Sequence, residues 1–553
     1  MTKYEELAEL IFPEVTETLE DLEKRFPKRN LKEGAMVTRF APSPTGFLHT
    51  GSLFTAFICS KLASQSGGTF YIRLEDTDQK REIVGAGDSL LKELKCFNVV
   101  PDEGYMGDSH PEVGPYGPYI QSHRADIYKV VIKHLLKQGM AYPCFCSSEE
   151  LSQLREVQEA TKVRTGYYKE YAKCRYLKPE QAIEKIKNGE PFVIRFKANG
   201  DEKNKIPVYD EVRGHLELSE NDQDIVIYKS DGLPTYHFAH LCDDHFMHTT
   251  HVVRGEEWLP SLPIHIQLFE TLGFEVPKYA HLPVIMKVEN GNRRKLSKRK
   301  DDEAAVSFFL KQGYPEDGFL EYLLTIANSD YEEWRAANLD KSLYDFELTF
   351  NKMSLDGALF DLDKVKNICK ELLSRLTKEE ITDRALAWAK VYDKELEEVI
   401  TSDRPYFESI MDIERGGEKP RKDYTKYDEI LPAINFMYDK YYDAAEREEF
   451  NERITHESAK EVLTKYLEVM DLTKDETEWF ANVKSVGVEC GYAENNKIYK
   501  KNKDSYKGHV GDVAEILRVA ISKRRQTPNL YHLLKILGED KVRARINETI
   551  QAL

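Results

Sequence analysis

Apolar residues recur at helical spacing through the first 35 positions, from MTKYEELAELIFPEVTETLEDLEKRF to Gly34, so one or two amphipathic helices are expected there. The period then changes. Met36 to Phe40 is a short strand-like run, broken by Pro42, Pro44 and Gly46. Thr50 to Ser66 returns to helical spacing through Leu53, Phe57 and Cys59 to Leu62. Gly67-Gly68 stops it, and Thr69 to Leu74 is strand-like again. Strand, Pro/Gly turn, helix, Gly stop and strand make a βαβ unit. Residues 100 to 225 carry loops, a cysteine cluster and alternating runs such as Pro191 to Phe196, and read as an inserted α+β segment. Asp224 to Lys229 and Thr249 to Arg254 read as further strands, followed by a helix over Trp258 to Leu272 and a strand at His281 to Met286. Beyond about residue 300 the spacing is almost wholly helical, in segments at Ala304 to Lys311, Leu362 to Leu376, Ser458 to Met470, Val513 to Ile521 and Leu530 to Leu537. The expected fold class is multidomain: an α/β front half interrupted by an α+β insertion, then an all-α back half.

A length of 553 residues fits several domains, roughly three to five at typical domain sizes. With 41% hydrophobic and 32% charged residues the chain has an ordinary globular composition. No apolar run approaches the length of a membrane span, and the acidic N-terminus lacks the basic and apolar regions of a signal peptide, so a cytoplasmic protein with no membrane partner is expected. The net charge of −17 argues against a nucleic-acid binder when taken as a sum, but binding depends on local patches. Basic clusters occur at Arg293-Arg294-Lys295 running on to Lys298-Arg299-Lys300, at Lys497 to Lys503, and at Lys523-Arg524-Arg525. A solvated surface is the ordinary reading of any one of them. Cys59, Cys96, Cys242, Cys369 and Cys490 stand alone and read as small core residues rather than a disulfide framework.

Two motifs carry chemistry. Arg39-Phe40-Ala41-Pro42-Ser43-Pro44-Thr45-Gly46-Phe47-Leu48-His49-Thr50-Gly51-Ser52 lies where a strand ends and a helix begins, a crevice in which backbone N–H groups and the helix dipole favour phosphate. His49 at the helix entry can donate to a phosphate oxygen; in isolation, an H-x-G reads instead as a histidine capping a turn, since three letters carry little information. Lys295-Leu296-Ser297-Lys298-Arg299 places two lysines three apart, suited to charge that builds on a departing pyrophosphate; in isolation it is a basic surface loop.

Together, an H-x-G at the first turn and a K-x-S-K about 250 residues later resemble the signature pair of the class I aminoacyl-tRNA synthetases. R-F-A-P-S-P-T-G at Arg39 to Gly46, R-L-E-D-T-D at Arg73 to Asp78 and V-R-G-E-E-W at Val253 to Trp258 resemble the bacterial-type glutamyl-tRNA synthetase family. G-P-Y-I-Q-S at Gly117 to Ser122, Asp243-Asp244-His245, Leu517-Arg518-Val519-Ala520 and Pro528 to Gly538 agree, so the resemblance runs over residues 36 to 553. It implies a Rossmann-type catalytic domain in two halves, 36–100 and 223–300, around an acceptor-stem-binding insertion at 101–222. A helical stem-contact domain at 301–364 and helical anticodon-binding domains at 365–553 would follow, with 1–35 as an N-terminal helical extension. It also implies the activity, an ATP-dependent ligase using Mg²⁺ with ATP, L-glutamate and tRNA(Glu), and a monomer. Whether tRNA(Gln) is charged as well stays open. A small-molecule nucleotidylyltransferase, a base-modifying relative and a non-catalytic RNA-binding relic are the competing readings. The helical back half counts against the first two, and intact His49, Lys295 and Lys298 against the last.

A glutamate site needs arginines for the carboxylates and an acid for the ammonium group. The resemblance implies Arg39, Ser43, Glu75, Tyr236, His240 and Arg254 for glutamate, and Thr45, Gly46, His49, Gly51, Ser52, Lys295, Ser297 and Lys298 for ATP, with His49, Lys295 and Lys298 catalytic. Which arginine takes the side-chain carboxylate is open. The related glutaminyl enzymes usually carry P-P-E-P-N-G and lack an arginine matching Arg254. His240 departs the other way, standing where glutamyl enzymes often have asparagine and glutaminyl enzymes histidine. Cys144-Phe145-Cys146 and Cys174-Arg175-Tyr176 resemble the family's zinc-binding insertion, with Tyr176 as an unusual fourth ligand. The alternative is three reduced thiols in a collapsed remnant of that site.

Overall fold

Strand Val37–Phe40 (β1) pairs in parallel with Thr69–Ile72 (β2), Val37 opposite Thr69, and β2 pairs in parallel with Glu103–Gly104 (β3). All four residues of β1 are buried, as expected for a parallel strand covered on both faces. The computed structural model describes residues 2–78, 83–297, 300–355, 358–416 and 419–553. The crossover helix from β1 to β2 is Thr50–Ser66, with the bounds its spacing predicts. His49 caps its first turn and Gly67, at φ 67°, closes its last. Gly68 is required by close approach, because a Cβ there would lie 2.0 Å from the Met36 carbonyl oxygen.

The next strands are Ala141–Cys144 (β4), Val193–Phe196 (β5), the hairpin Lys205–Asp210 (β6) and Gly214–Ser219 (β7), and Val226–Tyr228 (β8). Strands β4, β5 and β8 form an antiparallel sheet. The chain then returns through helix Tyr236–Phe246 to His251–Gly255 (β9), helix Leu262–Leu272 and Lys278–Leu282 (β10). Strand β10 lies between β9 and β6, so the hairpin extends this second sheet in the order β7-β6-β10-β9. Thr250 joins the two sheets: its N–H donates to the Val37 carbonyl at 3.0 Å, and its hydroxyl accepts from the Val37 N–H at 2.8 Å. Strand order therefore reverses between β1 and β9, and a crevice opens at their carboxyl ends, the place where α/β sheets bind ligands. After β10 an antiparallel hairpin, Met286–Glu289 (β11) and Asn292–Lys295 (β12), turns at Asn290 and Gly291, both at positive φ (51° and 79°).

The N-terminal helices Lys3–Ile11 and Leu19–Arg25 are part of this unit. Ala8, Phe12, Leu22 and Phe26 share a core with Tyr128, Val131 and Leu135 of helix Ala125–Lys137. Lys133 donates to Glu9 at 2.7 Å and to the carbonyls of Phe12 and Val15 at 2.9 and 2.6 Å. By internal contacts the chain divides into Met1–Phe309 with Leu320–Asp361, and Leu310–Phe319 with Leu362–Leu553. The second unit is helical as expected, and Leu530–Leu537 matches its predicted bounds. Helices Lys378–Tyr392 and His456–Val469 open on capping boxes at Thr377 and Thr455. In its core the buried Arg545 lies 3.8 Å over the Tyr442 ring and donates to the carbonyls of Phe436 and Ile521. No helix among the described residues is long and apolar enough to cross a membrane.

Charge is concentrated inside the first unit. Helix Tyr236–Phe246 carries Asp243 and Asp244, both buried. Asp243 accepts from Arg124 Nε at 2.6 Å, Gln121 Nε2 at 2.9 Å and the Tyr128 hydroxyl at 2.9 Å. Asp244 accepts from Arg73 Nη1 at 2.8 Å and Arg39 Nε at 3.1 Å. Removing one partner of such a pair leaves the other charge buried and alone. Asp243→Ala is expected to destabilise the first unit by about 3–5 kcal/mol, read as a lower midpoint in urea unfolding. A shift worth under about 1 kcal/mol would mean that Asp243 does not hold the helix in place.

Candidate active site

The crevice at the carboxyl ends of β1 and β9 is a cavity of about 590 Å³. Of the sequence-predicted residues, Arg39, Ser43, His49, Gly51, Ser52, Glu75, Tyr236, Arg254 and Lys295 line it together. Thr45, Gly46, His240 and Ser297 do not line it. Lys298 and Arg299 lie outside the described residues.

Arg39 stands one residue before the end of β1, and Glu75 follows the end of β2 in an extended segment whose N–H donates to the Pro42 carbonyl at 2.9 Å. Burial disfavours the Arg39 charge, but Asp244 overcomes it and keeps the guanidinium cationic. Burial also raises the Glu75 carboxyl, offset by Arg73, whose Nη2 donates to it at 3.0 Å. Tyr236, at the start of its helix, packs its ring 4.3 Å from that of Trp258. His240, expected to touch glutamate, is fully buried behind this wall instead. One turn along the helix from Tyr236, its Nδ1 sits 2.9 Å from Asp244. Burial lowers its pKa to about 3, so it is a neutral support for the Arg39–Asp244 pair.

Arg254 is held differently. It stands one residue before the end of β9, and none of its partners among the described residues is a carboxylate. Its Nε donates to His281 Nε2 at 3.0 Å, Nη1 faces His265 Nδ1 at 3.2 Å, and Nη2 reaches the Trp258 carbonyl at 3.5 Å. Its guanidinium carbon lies 5.0 Å from the Tyr279 ring centroid. Burial lowers the pKa of both His281 and His265, so both acceptors are uncharged at neutral pH. Of the two buried arginines of the cavity, Arg39 is thus paired with an acid and Arg254 is surrounded by neutral acceptors.

At the other side of the cavity, His49 Nδ1 accepts from the Gly51 N–H at 2.9 Å. That bond leaves the proton of the neutral ring on Nε2, making it a donor. Lys295 ends β12, so the hairpin carries it to the cavity, where Nζ pairs with Glu257 Oε1 at 3.1 Å. Asp301 accepts from Arg294 Nη1 and Nη2 at 2.6 and 2.7 Å and from the Ser297 N–H at 2.9 Å, which ties Ser297 to β12. Sequence reasoning missed this hairpin, although Asn290-Gly291 is the local signal for one. It also missed Thr77, Asp78, Glu257, Trp258 and Leu282 to Ile285 as lining residues. Trp258 was legible only as part of a motif, because which face a ring presents depends on packing.

Away from the cavity, the Sγ atoms of Cys144, Cys146 and Cys174 lie within 4.8 Å of one another. Tyr176, the expected fourth ligand, is 66% exposed. The phenol beside the thiols is that of Tyr167, at 3.2 Å from Cys146 and 3.5 Å from Cys144. The spacing to Tyr176 misled because residues Lys173–Tyr176 form a tight 3-10 turn, whereas Tyr167 reaches the cluster from an earlier loop.

The geometry agrees with what the chain resembles. The family described as tRNA synthetases class I (E and Q), catalytic domain, matches residues 35–365, and the anticodon binding domain family matches residues 380–550. The glutamate–tRNA ligase of Clostridium perfringens (strain 13 / Type A) is 49% identical over 545 residues, covering 98% of this chain and 100% of that protein. That of Acetivibrio thermocellus is 46% identical over 548 residues, covering 99% and 100%. These alignments include most of the first 35 residues, which the motifs alone left outside the resemblance. Among solved structures, a glutamate tRNA ligase from Elizabethkingia meningosepticum CCUG26117 in complex with its amino acid is 28% identical, with a TM-score of 0.73 over 94% of this chain and 99% of that one. The chain belongs to the class I tRNA synthetases for glutamate and glutamine and, within them, to the glutamate–tRNA ligase family.

Proposed function

We propose that the protein activates L-glutamate with ATP, as its Mg²⁺ complex, and transfers it to the 3′-terminal adenosine of tRNA(Glu). The observation that carries the glutamate assignment is Arg254, a buried cation lining the cavity with only uncharged partners among the described residues. A neutral amide placed there would leave that charge unmatched, so the site favours a carboxylate over its amide. Arg39 and Arg254 bind the two carboxylates, Glu75 accepts from the ammonium group, and Ser43 and Tyr236 complete the pocket. One oxygen of the α-carboxylate attacks the α-phosphorus of ATP and pyrophosphate leaves. A ribose hydroxyl of the terminal adenosine then attacks the adenylate carbonyl and AMP leaves. His49 Nε2–H holds a phosphate oxygen beside Gly51 and Ser52, which line the cavity there, while Lys295 and Lys298 stabilise the charge on the leaving pyrophosphate. Lys295 must leave Glu257 to do so, and that exposed pair is weak enough to exchange.

The helical residues 365–553 bind the anticodon arm, and residues 101–222 bind the acceptor stem. The protein acts in the cytoplasm as a monomer, and tRNA(Glu) is its substrate. Three thiolates with the Tyr167 phenol beside them suit a structural zinc ion, which would cross-link β4 to the turn carrying Cys174.

Three outcomes are expected. Arg254→Ala raises the KM for glutamate at least tenfold and narrows the preference for glutamate over glutamine, as measured by tRNA charging with each labelled amino acid; an unchanged KM would remove Arg254 from the pocket. Lys295→Ala lowers kcat at least tenfold with the glutamate KM within about threefold, because its contact strengthens only in the transition state; unchanged turnover would leave Lys295 a surface residue. Metal analysis of the purified chain gives about one zinc per protein, lost in Cys146→Ser; a metal-free wild type would leave a cluster of reduced thiols.

A further inference from the structure

Arg254 is oriented by a chain of hydrogen bonds that reaches back into the inserted hairpin. Asp210 ends β6, opposite Tyr279 of β10, and is fully buried. Backbone N–H groups of Val212 and Arg213 donate to its Oδ1 at 3.0 and 2.9 Å, and that of His281 donates to Oδ2 at 3.2 Å. Burial works against its charge, but these bonds and His281 hold the carboxyl below its ordinary range. His281 Nδ1 lies 2.7 Å from Asp210 Oδ2, and its Nε2 accepts from Arg254 Nε at 3.0 Å. An arginine can only donate, and a carboxylate can only accept. The ring of His281 therefore carries its proton on Nδ1, with a bare Nε2. The same logic runs along the second arm. His265 Nδ1 accepts from Arg254 Nη1, so its proton lies on Nε2, which donates to His237 Nδ1 at 3.0 Å.

We propose that Asp210 and His281 are positioning residues for glutamate selection: Asp210 fixes the tautomer of His281, and His281 fixes the guanidinium of Arg254 while leaving its charge for a substrate carboxylate. This rests on the cavity being the glutamate pocket. An acid in direct contact with Arg254 would orient it equally well but would pair its charge and compete with the substrate. An imidazole between them supplies the acceptor without the negative charge. It also explains why β6 and β7, which belong to the insertion, join the catalytic sheet beside β10. They deliver Asp210 to the back of the pocket.

The test uses the full-length protein in tRNA charging, with KM for glutamate, KM for ATP and kcat measured for Asp210→Asn, His281→Phe and His281→Gln beside Arg254→Ala. Asparagine can donate to His281 Nδ1 and so favour the opposite tautomer, whose Nε2–H opposes Arg254. Asp210→Asn and His281→Phe are expected to raise the glutamate KM about tenfold, with kcat within about twofold and the ATP KM unchanged. His281→Gln, whose amide oxygen restores an acceptor, keeps the glutamate KM within about threefold of wild type. In the ¹⁵N-histidine NMR spectrum of the wild type, His281 shows a protonated Nδ1 and a bare Nε2. That spectrum decides the tautomer even where a substitution prevents folding. A glutamate KM unmoved in folded Asp210→Asn and His281→Phe, or a His281 proton on Nε2, overturns the proposal. If Arg254→Ala moves the KM and these two do not, the positioning role alone fails. If Arg254→Ala also leaves it unmoved, the pocket reading itself is wrong.

Discussion

Two carboxylates buried side by side on one helix hold the first unit around its cavity. Asp244 receives Arg39 from β1 and Arg73 from the segment after β2, while Asp243 receives Arg124 from the start of the neighbouring helix. None of these groups could be buried alone, since an isolated ion in a protein interior is strongly disfavoured. Each therefore constrains the others: the helix must present both acids inward, and β1 and the end of β2 must bring their arginines to it. The cavity mouth is the place where this network stops being self-neutralising.

That boundary gives the pocket its chemistry. Arg39 is anchored by an acid and retains only part of its donor capacity for a ligand. Arg254 is anchored by histidines that burial keeps neutral, so no neighbouring side chain among the described residues matches its charge. A substrate with two carboxylates and one ammonium group complements two arginines and Glu75. On the other side, a helix entry capped by His49 and a hairpin whose second strand ends in Lys295 face the same space, as a triphosphate would require. The reaction follows from juxtaposition and electrostatics rather than from a covalent nucleophile.

Much of this was legible in the sequence, because the signals were local. Thr50–Ser66 is bounded by His49 and Gly67, and both ends could be read from the residues themselves. Arg39, Glu75 and Arg254 could be placed because each lies just before or just beyond the end of a strand, where a parallel sheet exposes side chains to its crevice. Three of the misses share one cause, which is dependence on packing between distant segments. His240 was placed in the pocket from its motif, but burial and Asp244 hold it one layer behind. Tyr167 rather than Tyr176 meets the thiols because the path of a loop, not spacing, decides which phenol arrives. Asp210 carries no motif, and its role emerges only when β6 pairs with β10. The Asn290-Gly291 turn was a local signal left unused.

The most direct test of the glutamate assignment is charging by the unaltered protein. Purified tRNA(Glu) and tRNA(Gln) would be incubated in parallel with ATP, Mg²⁺ and labelled glutamate or glutamine. An Arg254 with only neutral partners among the described residues predicts glutamate attached to tRNA(Glu) and no glutamine on either tRNA. Glutamine attached in place of glutamate, or no glutamate product on either tRNA, would contradict it.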